Sequence, residues 1–207
     1  MMAPDVEMWD VLDEGGSPTG RTVARATDGD PTATLRPGEY YRDVYICLFN
    51  PSGEVLIQQR AAGKSIDPGR WDLSAGGAVI SGETSQQAAS RELAEELGIS
   101  VDFTGQRPVI TATHPDAFFD IYLADLPDND LSRLTLQSEE VQSVRWAGLD
   151  EILAMIVNGT FCALHPKLRR TRLRRPSVPQ RHPLAVTGRP GRTTQMHWRS
   201  SDSREPY

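Results

Sequence analysis

Apolar and polar positions along this chain recur mostly in short extended runs, and once with a clear helical period. Residues 8 to 25, MWDVLDEGGSPTGRTVAR, place two short runs around Gly-Gly-Ser-Pro, which predicts an opening hairpin. Thr27 to Gly38 reads as loop, marked by Asp-Gly-Asp-Pro and Pro37-Gly38. Val44 to Phe49 is rich in β-branched and aromatic residues and predicts a strand. Asn50-Pro51-Ser52-Gly53 turns the chain, and Glu54 to Gln59 returns as a second strand. Trp71 to Ser74 reads as a short strand ahead of two glycines. Further strands are expected near 107 to 113, 118 to 124 and 141 to 146, with a helix opening near Leu149-Asp150-Glu151.

The helical period falls at about Thr84 to Leu97, where Thr84 or Ser85 suits the cap and Gly98 the stop. At about 100° per residue, Ala89, Leu93 and Leu97 share one face, while Glu92, Glu95 and Glu96 fall in a separate arc. Strands and helices follow no strict βαβ alternation, so the expected class is α+β, or a sandwich of helices on a mixed sheet.

Composition narrows the class. Of 207 residues, 38% are hydrophobic and 24% charged, as in a globular protein. No run approaches the roughly 18 apolar residues of a membrane span. The N-terminus has no apolar core of the secretory kind, so no membrane partner is expected and a cytoplasmic location is the default. Cys47 and Cys162 match no ligand spacing, and Cys47 lies in an apolar run that suits a buried thiol. Charge is unevenly spread. Residues 1 to 165 hold 11 Lys/Arg against 26 Asp/Glu, a balance of −15, and residues 166 to 207 hold 11 against 2, a balance of +9. An acidic body does not attract polyanions by its overall field. The basic, Pro-rich tail shows no sustained period and reads as disordered or loosely attached.

The acidic arc carries the candidate chemistry. Like charges at helical i, i+3 and i+4 repel by a few tenths of a kcal/mol per pair. Alone, a Glu-Glu pair on a helix is usually a solvated face. Carboxylates at this spacing also converge where Mg²⁺ or Mn²⁺ can be held by oxygen ligands, and such an ion offsets negative charge and lowers the pKa of a bound water. Gly76 and Gly77 permit close backbone approach and free a carbonyl to join the coordination.

Gly77, Glu83, Arg91, Glu92, Leu93, Glu95, Glu96, Gly98 and Ile99 fill every position of G-x5-E-x7-R-E-U-x-E-E-x-G-U, with U aliphatic. This resembles the signature of the Nudix hydrolase family. The resemblance implies an α/β/α sandwich with a mixed central sheet, the hairpin added at an edge and the box forming a loop-helix-loop. It implies a domain over 1 to 165, with 7 to 36 as hairpin and loop and 76 to 99 as the box, and a tail over 166 to 207. Its implied activity is metal-dependent hydrolysis of a small-molecule diphosphate, with Mg²⁺ or Mn²⁺ as cofactor. Glu92 and Glu96 are the firmest implied ligands, Glu95 follows closely and the Gly76 carbonyl joins them, while Arg91 pairs with Glu83 or a neighbouring Glu. The family places its base in the box or on a later loop. There Glu139 and Glu140 stand, either of them a candidate or an ordinary acidic loop residue, and Glu140 is carried forward. Gln58, Gln59, Arg60, Lys64 and Arg70 flank the expected cleft; Arg60, Lys64 and Arg70 are the candidates for substrate phosphates. His114 reads as a loop histidine and Trp71 as core.

Residues 7 to 165 further resemble the branch that includes isopentenyl diphosphate isomerase. That enzyme's cysteine before the box is Gly76 here, its following His-Pro is absent, and Tyr41 stands at its metal-binding histidine. The intact box therefore favours hydrolysis over isomerisation. A non-catalytic nucleotide-binding module is the remaining alternative. Nucleic acid is expected only through the basic tail, and a homodimer is left open.

Overall fold

The computed structural model describes residues 6–25, 35–127 and 129–162. The expected loop from Thr27 to Gly38 lies outside them as far as residue 34, and the expected tail over 166 to 207 lies outside them entirely.

Strands β1 (Met8–Leu12) and β2 (Pro18–Ala24) form the opening hairpin, a two-stranded antiparallel sheet of its own. The second sheet holds β3 (Tyr41–Phe49), β4 (Val55–Arg60), β5 (Trp71–Asp72), β6 (Ala75–Ala78), β7 (Ile110–Thr113), β8 (Ala117–Asp125) and β9 (Val141–Ala147). Helix α1 spans Ser85–Leu97 and α2 spans Leu149–Asn158. The order β5-β4-β3-β8-β7 is mixed: β3 and β8 run parallel over nine residue pairs, and the other pairings are antiparallel.

Alternation on β3 explains the layers. Val44, Ile46 and Leu48 face α1 and pack with Ala88, Ala89, Leu93 and Leu97. Cys47 and Phe49 face the other way, against Ile152, Met155 and Ile156 of α2. Cys47 is buried, and burial pushes its thiol up to about 12, as the apolar run around it predicts. Trp71 belongs to the α2-side core, with the Arg145 guanidinium 4.7 Å from its ring centroid.

The sheet opens where the site forms. Beyond the pair Phe49–Val55, β3 and β4 separate. β6 takes the freed edge of β3 from Asp43–Ala78 to Ile46–Ala75, while β5 and β9 pair with β4. Buried Ser74 bridges the split: its hydroxyl donates to the Leu56 carbonyl at 2.6 Å and accepts from the Leu48 amide at 2.8 Å. The glycines are therefore strand here, where loop was expected. Their missing side chains let β6 lie between β3 and α1, and a Cβ on Gly76 would come within 2.9 Å of the Val44 carbonyl.

The hairpin docks at the head of β3 and β6. Trp9, Val11, Val23 and Ala78 form a small core there, and Asp10 receives the Ser81 hydroxyl at 2.7 Å and the Gly82 amide at 3.1 Å.

Candidate active site

Helix α1 begins with a reciprocal capping box. The Thr84 hydroxyl accepts from the Gln87 amide, and the Gln87 side chain accepts from the Thr84 amide at 2.8 Å. Gly98, at φ +69°, ends the helix, and its amide donates to the Ala94 carbonyl at 3.1 Å. Both ends match the expected signals, and they fix which side of the helix meets the sheet.

That side is not only the apolar one. Glu92 and Glu96 are buried, while the Glu95 side chain is 52% exposed. Gly77 makes room for Glu92, since a Cβ there would lie 2.2 Å from Glu92 Oε1. Glu96 Oε2 accepts from Gln58 Nε2 at 2.9 Å and from the Gly76 amide at 3.3 Å, and neither donor carries a charge. Arg91 holds the rest together. Its guanidinium donates to both Glu83 oxygens at 2.8 and 3.1 Å, to Glu92 at 2.7 Å, to Glu95 at 3.1 Å and to the Ala78 carbonyl at 2.9 Å. Partial burial works against the Arg91 charge, but Glu83 and Glu92 override it and hold the guanidinium protonated.

The two buried carboxyls are difficult to ionise. Burial raises Glu92 to about 7, an effect Arg91 offsets only in part. Burial and the Glu92 charge together raise Glu96 to about 8, against the donors Gln58 and Gly76. Without metal, the native state thus keeps protons that the unfolded chain has already released. Its stability is fully present below the ordinary carboxylate range and declines as pH rises through about 7 and 8. Melts in chelator are expected to fall from about pH 5 to about pH 8, and Mg²⁺ or Mn²⁺ should flatten that slope by binding the carboxylates. A melting temperature that climbs over the same interval in chelator would contradict this arrangement.

A cavity of about 250 Å³ opens beside Gly76 and Gly77. Gln58, Arg60 and Lys64 line it from β4 and the loop that follows, and Glu140 from the turn before β9. Asp43, Tyr45 and Phe119 line it from β3 and β8. Lys64 is ion-paired with Glu140, and Arg60 donates to the Ile66 carbonyl at 2.9 and 3.1 Å. Arg70 is not part of the lining; it pairs with Asp67 at 3.0 Å. Gln59 is also tied up elsewhere, donating to the Gly69 carbonyl at 3.0 Å. Glu139 is exposed and accepts from the Ser138 hydroxyl at 3.1 Å. His114 lines the cavity, 2.7 Å from Asp116.

Sequence reasoning missed Asp43. It lines the cavity half-buried, and its recessed position raises it to about 7 despite the Tyr41 hydroxyl and Arg25. Strand alternation puts it in register with Tyr41 and Tyr45, but a polar residue in such a pattern reads as a solvated position. Asp72 was missed for the same reason; it is buried 3.7 Å from Arg60, in the same lining.

The residues fit a hard divalent cation by their chemistry: buried oxygen donors, one of them met by neutral partners, beside a backbone without side chains. Among the described residues no three His, Cys, Asp or Glu side chains are drawn into a ready-made ligand cluster. Glu95 turns instead to Arg91.

A mixed sheet between two helices, opened beside a glutamate-bearing helix, is the architecture of a Nudix fold. Residues 39–164 match the NUDIX domain family, and the chain belongs to it. An uncharacterized Nudix hydrolase of Listeria monocytogenes is 42% identical over 156 residues, covering 75% of this chain and 88% of that protein. An isopentenyl-diphosphate Delta-isomerase of Streptomyces avermitilis is 34% identical over 107 residues, covering 52% and 51%. A crystal structure of a Deinococcus radiodurans protein superposes with a TM-score of 0.61 at 27% identity, covering 80% of this chain and 96% of that one. The chain is accordingly a hydrolase of the Nudix kind, acting on small diphosphate compounds. Among the described residues no helix is long and apolar enough to cross a membrane.

Proposed function

We propose that residues 1–165 form a catalytic domain that hydrolyses a diphosphate linkage in a nucleoside diphosphate derivative or a related organic pyrophosphate, with residues 166–207 as an appended basic tail. The observation that carries this reading is Glu96, a buried carboxyl with neutral partners beside Gly76 at a cavity lined by Arg60, Lys64 and Glu140. Glu92 and Glu96, with Glu95 and the Gly76 carbonyl, would hold Mg²⁺ or Mn²⁺. When bound, the cation offsets phosphate charge and lowers the pKa of water.

The chain's own residues supply the remainder. Arg91 and Glu83 lock α1 to β6 and keep Glu92 aimed past Gly77. Arg60 and Lys64 receive phosphate oxygens, with Arg70 at the outer edge of the loop. Lys64 already holds Glu140. An arriving phosphate competes for that ammonium, which leaves Glu140 to take the proton of the attacking water.

The rival chemistry is allylic isomerisation, suggested by the relatives that carry that name. It is disfavoured at Gly76, where a Cβ would lie 2.8 Å from Tyr45 Cδ1 and 2.9 Å from the Val44 carbonyl, leaving no room for a cysteine. A panel of nucleoside diphosphate derivatives, dinucleotides and prenyl diphosphates, run with Mg²⁺ and Mn²⁺, tests the proposal. Expected is phosphate release, after a coupled phosphatase, from at least one compound. Conversion of isopentenyl diphosphate to its allylic isomer, with no hydrolysis anywhere in the panel, would overturn it.

A further inference from the structure

One wall of the cavity is unused by this chemistry. Strand β3 contributes Tyr41, Asp43 and Tyr45 to it, three residues that alternation puts on one face. Strand β8 adds Phe119, in register with Asp43. All four are half-buried, so each keeps accessible surface. The Tyr45 and Phe119 rings meet edge to face, with centroids 5.6 Å apart and planes at 90°, and so form a corner. His114 lies beside Phe119 with ring centroids 5.5 Å apart. Tyr41 is fixed by stacking on Trp9 at 4.4 Å. Asp43 stands amid these rings and accepts from the Tyr41 hydroxyl. Among the described residues no Lys or Arg forms an ion pair with it; Arg25 offsets its charge only through space, being paired with Glu7 at 2.7 Å. Burial accordingly raises the Asp43 carboxyl to about 7. A carboxylate without an ion partner, set among aromatic rings in a cavity, has the make-up of a site for an organic cation. The carboxylate supplies charge, and the ring faces attract the cation through their quadrupoles.

We propose that Asp43, Tyr45 and Phe119 form a subsite for a positively charged nitrogen group, a primary or quaternary ammonium, on the part of the substrate remote from the cleaved linkage. Strand order supports the placement, because β4 and β8 flank β3 on opposite sides. A diphosphate received by Arg60 and Lys64 on the β4 side carries its remote part toward Asp43 and Phe119. This inference rests on reading the cavity as the substrate site.

The test reads binding without turnover. The full chain is labelled with ring-¹³C phenylalanine and kept in Mg²⁺, so that the box glutamates do not compete for organic cations. Five phenylalanines give the ring signals, and Phe119→Tyr identifies one of them while keeping the ring. Choline, ethanolamine and 3,3-dimethylbutan-1-ol, the uncharged isostere of choline, are titrated separately at about 0.15 M salt, which screens surface charge. The Phe119 signal is expected to move and saturate with one or both cations and to stay still with the alcohol. Asp43→Asn, which is isosteric and still accepts from Tyr41, should raise the half-saturating concentration about tenfold, with a melt confirming its fold. Ethanolamine active with choline silent assigns a primary ammonium that donates to Asp43, and the reverse a quaternary ammonium held by the rings. No movement with either cation, equal movement with the alcohol, or movement that Asp43→Asn leaves unchanged overturns the subsite. The two readings fail separately: a moving Phe119 signal in a chain that hydrolyses nothing keeps the subsite and removes the chemistry, and hydrolysis with a static signal does the opposite.

Discussion

Glu96→Gln is expected to lower metal-dependent diphosphate hydrolysis by about 10³-fold, corresponding to the several kcal/mol a metal contributes to transition-state charge. The fold should survive. The replacement is isosteric, and its amide oxygen can still accept from Gln58 and the Gly76 amide, which stand 2.9 and 3.3 Å from Glu96 Oε2. Removing a buried carboxyl that Glu92 repels relieves the metal-free protein, so its melting temperature should hold or rise. The separating measurement is a pair of melts, without and with Mg²⁺. Wild type should gain stability from the ion, and Glu96→Gln should not. Undiminished hydrolysis by the variant would remove Glu96 from the machinery.

Gly77→Ala is expected to cost about 10²-fold in kcat, the usual consequence of displacing a catalytic group by about 1 Å. Backbone conformation is no obstacle, because Gly77 is not among the left-handed glycines. The obstacle is Glu92, whose Oε1 and Cδ would lie 2.2 and 2.5 Å from the new methyl. The end of a glutamate side chain can swing away, so folding persists while the carboxylate leaves its position. Gly82→Ala is the control. At φ +85° with open space around it, that change should cost about 1–2 kcal/mol of stability and leave kcat intact. Equal kinetic losses in both variants would mean that Gly77 matters only as backbone.

Much of the fold was legible because its signals are local. The helix appeared from a run of period 3.6 between Thr84 and Gly98, and both caps fell where the residue types place them. The strands around Val44 and Val55 were evident from β-branched runs on either side of Asn50-Pro51-Ser52-Gly53. β6 was not, since two glycines in four residues read as loop; it is a strand because β3 lends it an edge and α1 lies too close for side chains. In the site, Arg91 pairs with Glu83 as the resemblance implied. The helical arc alone does not rank the three glutamates; the resemblance puts Glu92 and Glu96 ahead of Glu95, and those are the two that the structure buries.

The sequence by itself determined the family, the α+β class and the helix that carries the glutamates, because spacing and periodicity are written in neighbouring residues. Only the tertiary structure decided that Glu92 and Glu96 are buried while Glu95 meets solvent and Arg91. It also decided that Arg70 falls outside the cavity, and that Asp43 and Trp9 belong to its walls. Burial and charge coupling depend on partners far away in the chain. Gln58 reaches Glu96 across 38 residues, from a strand that separates from β3 only where β6 enters.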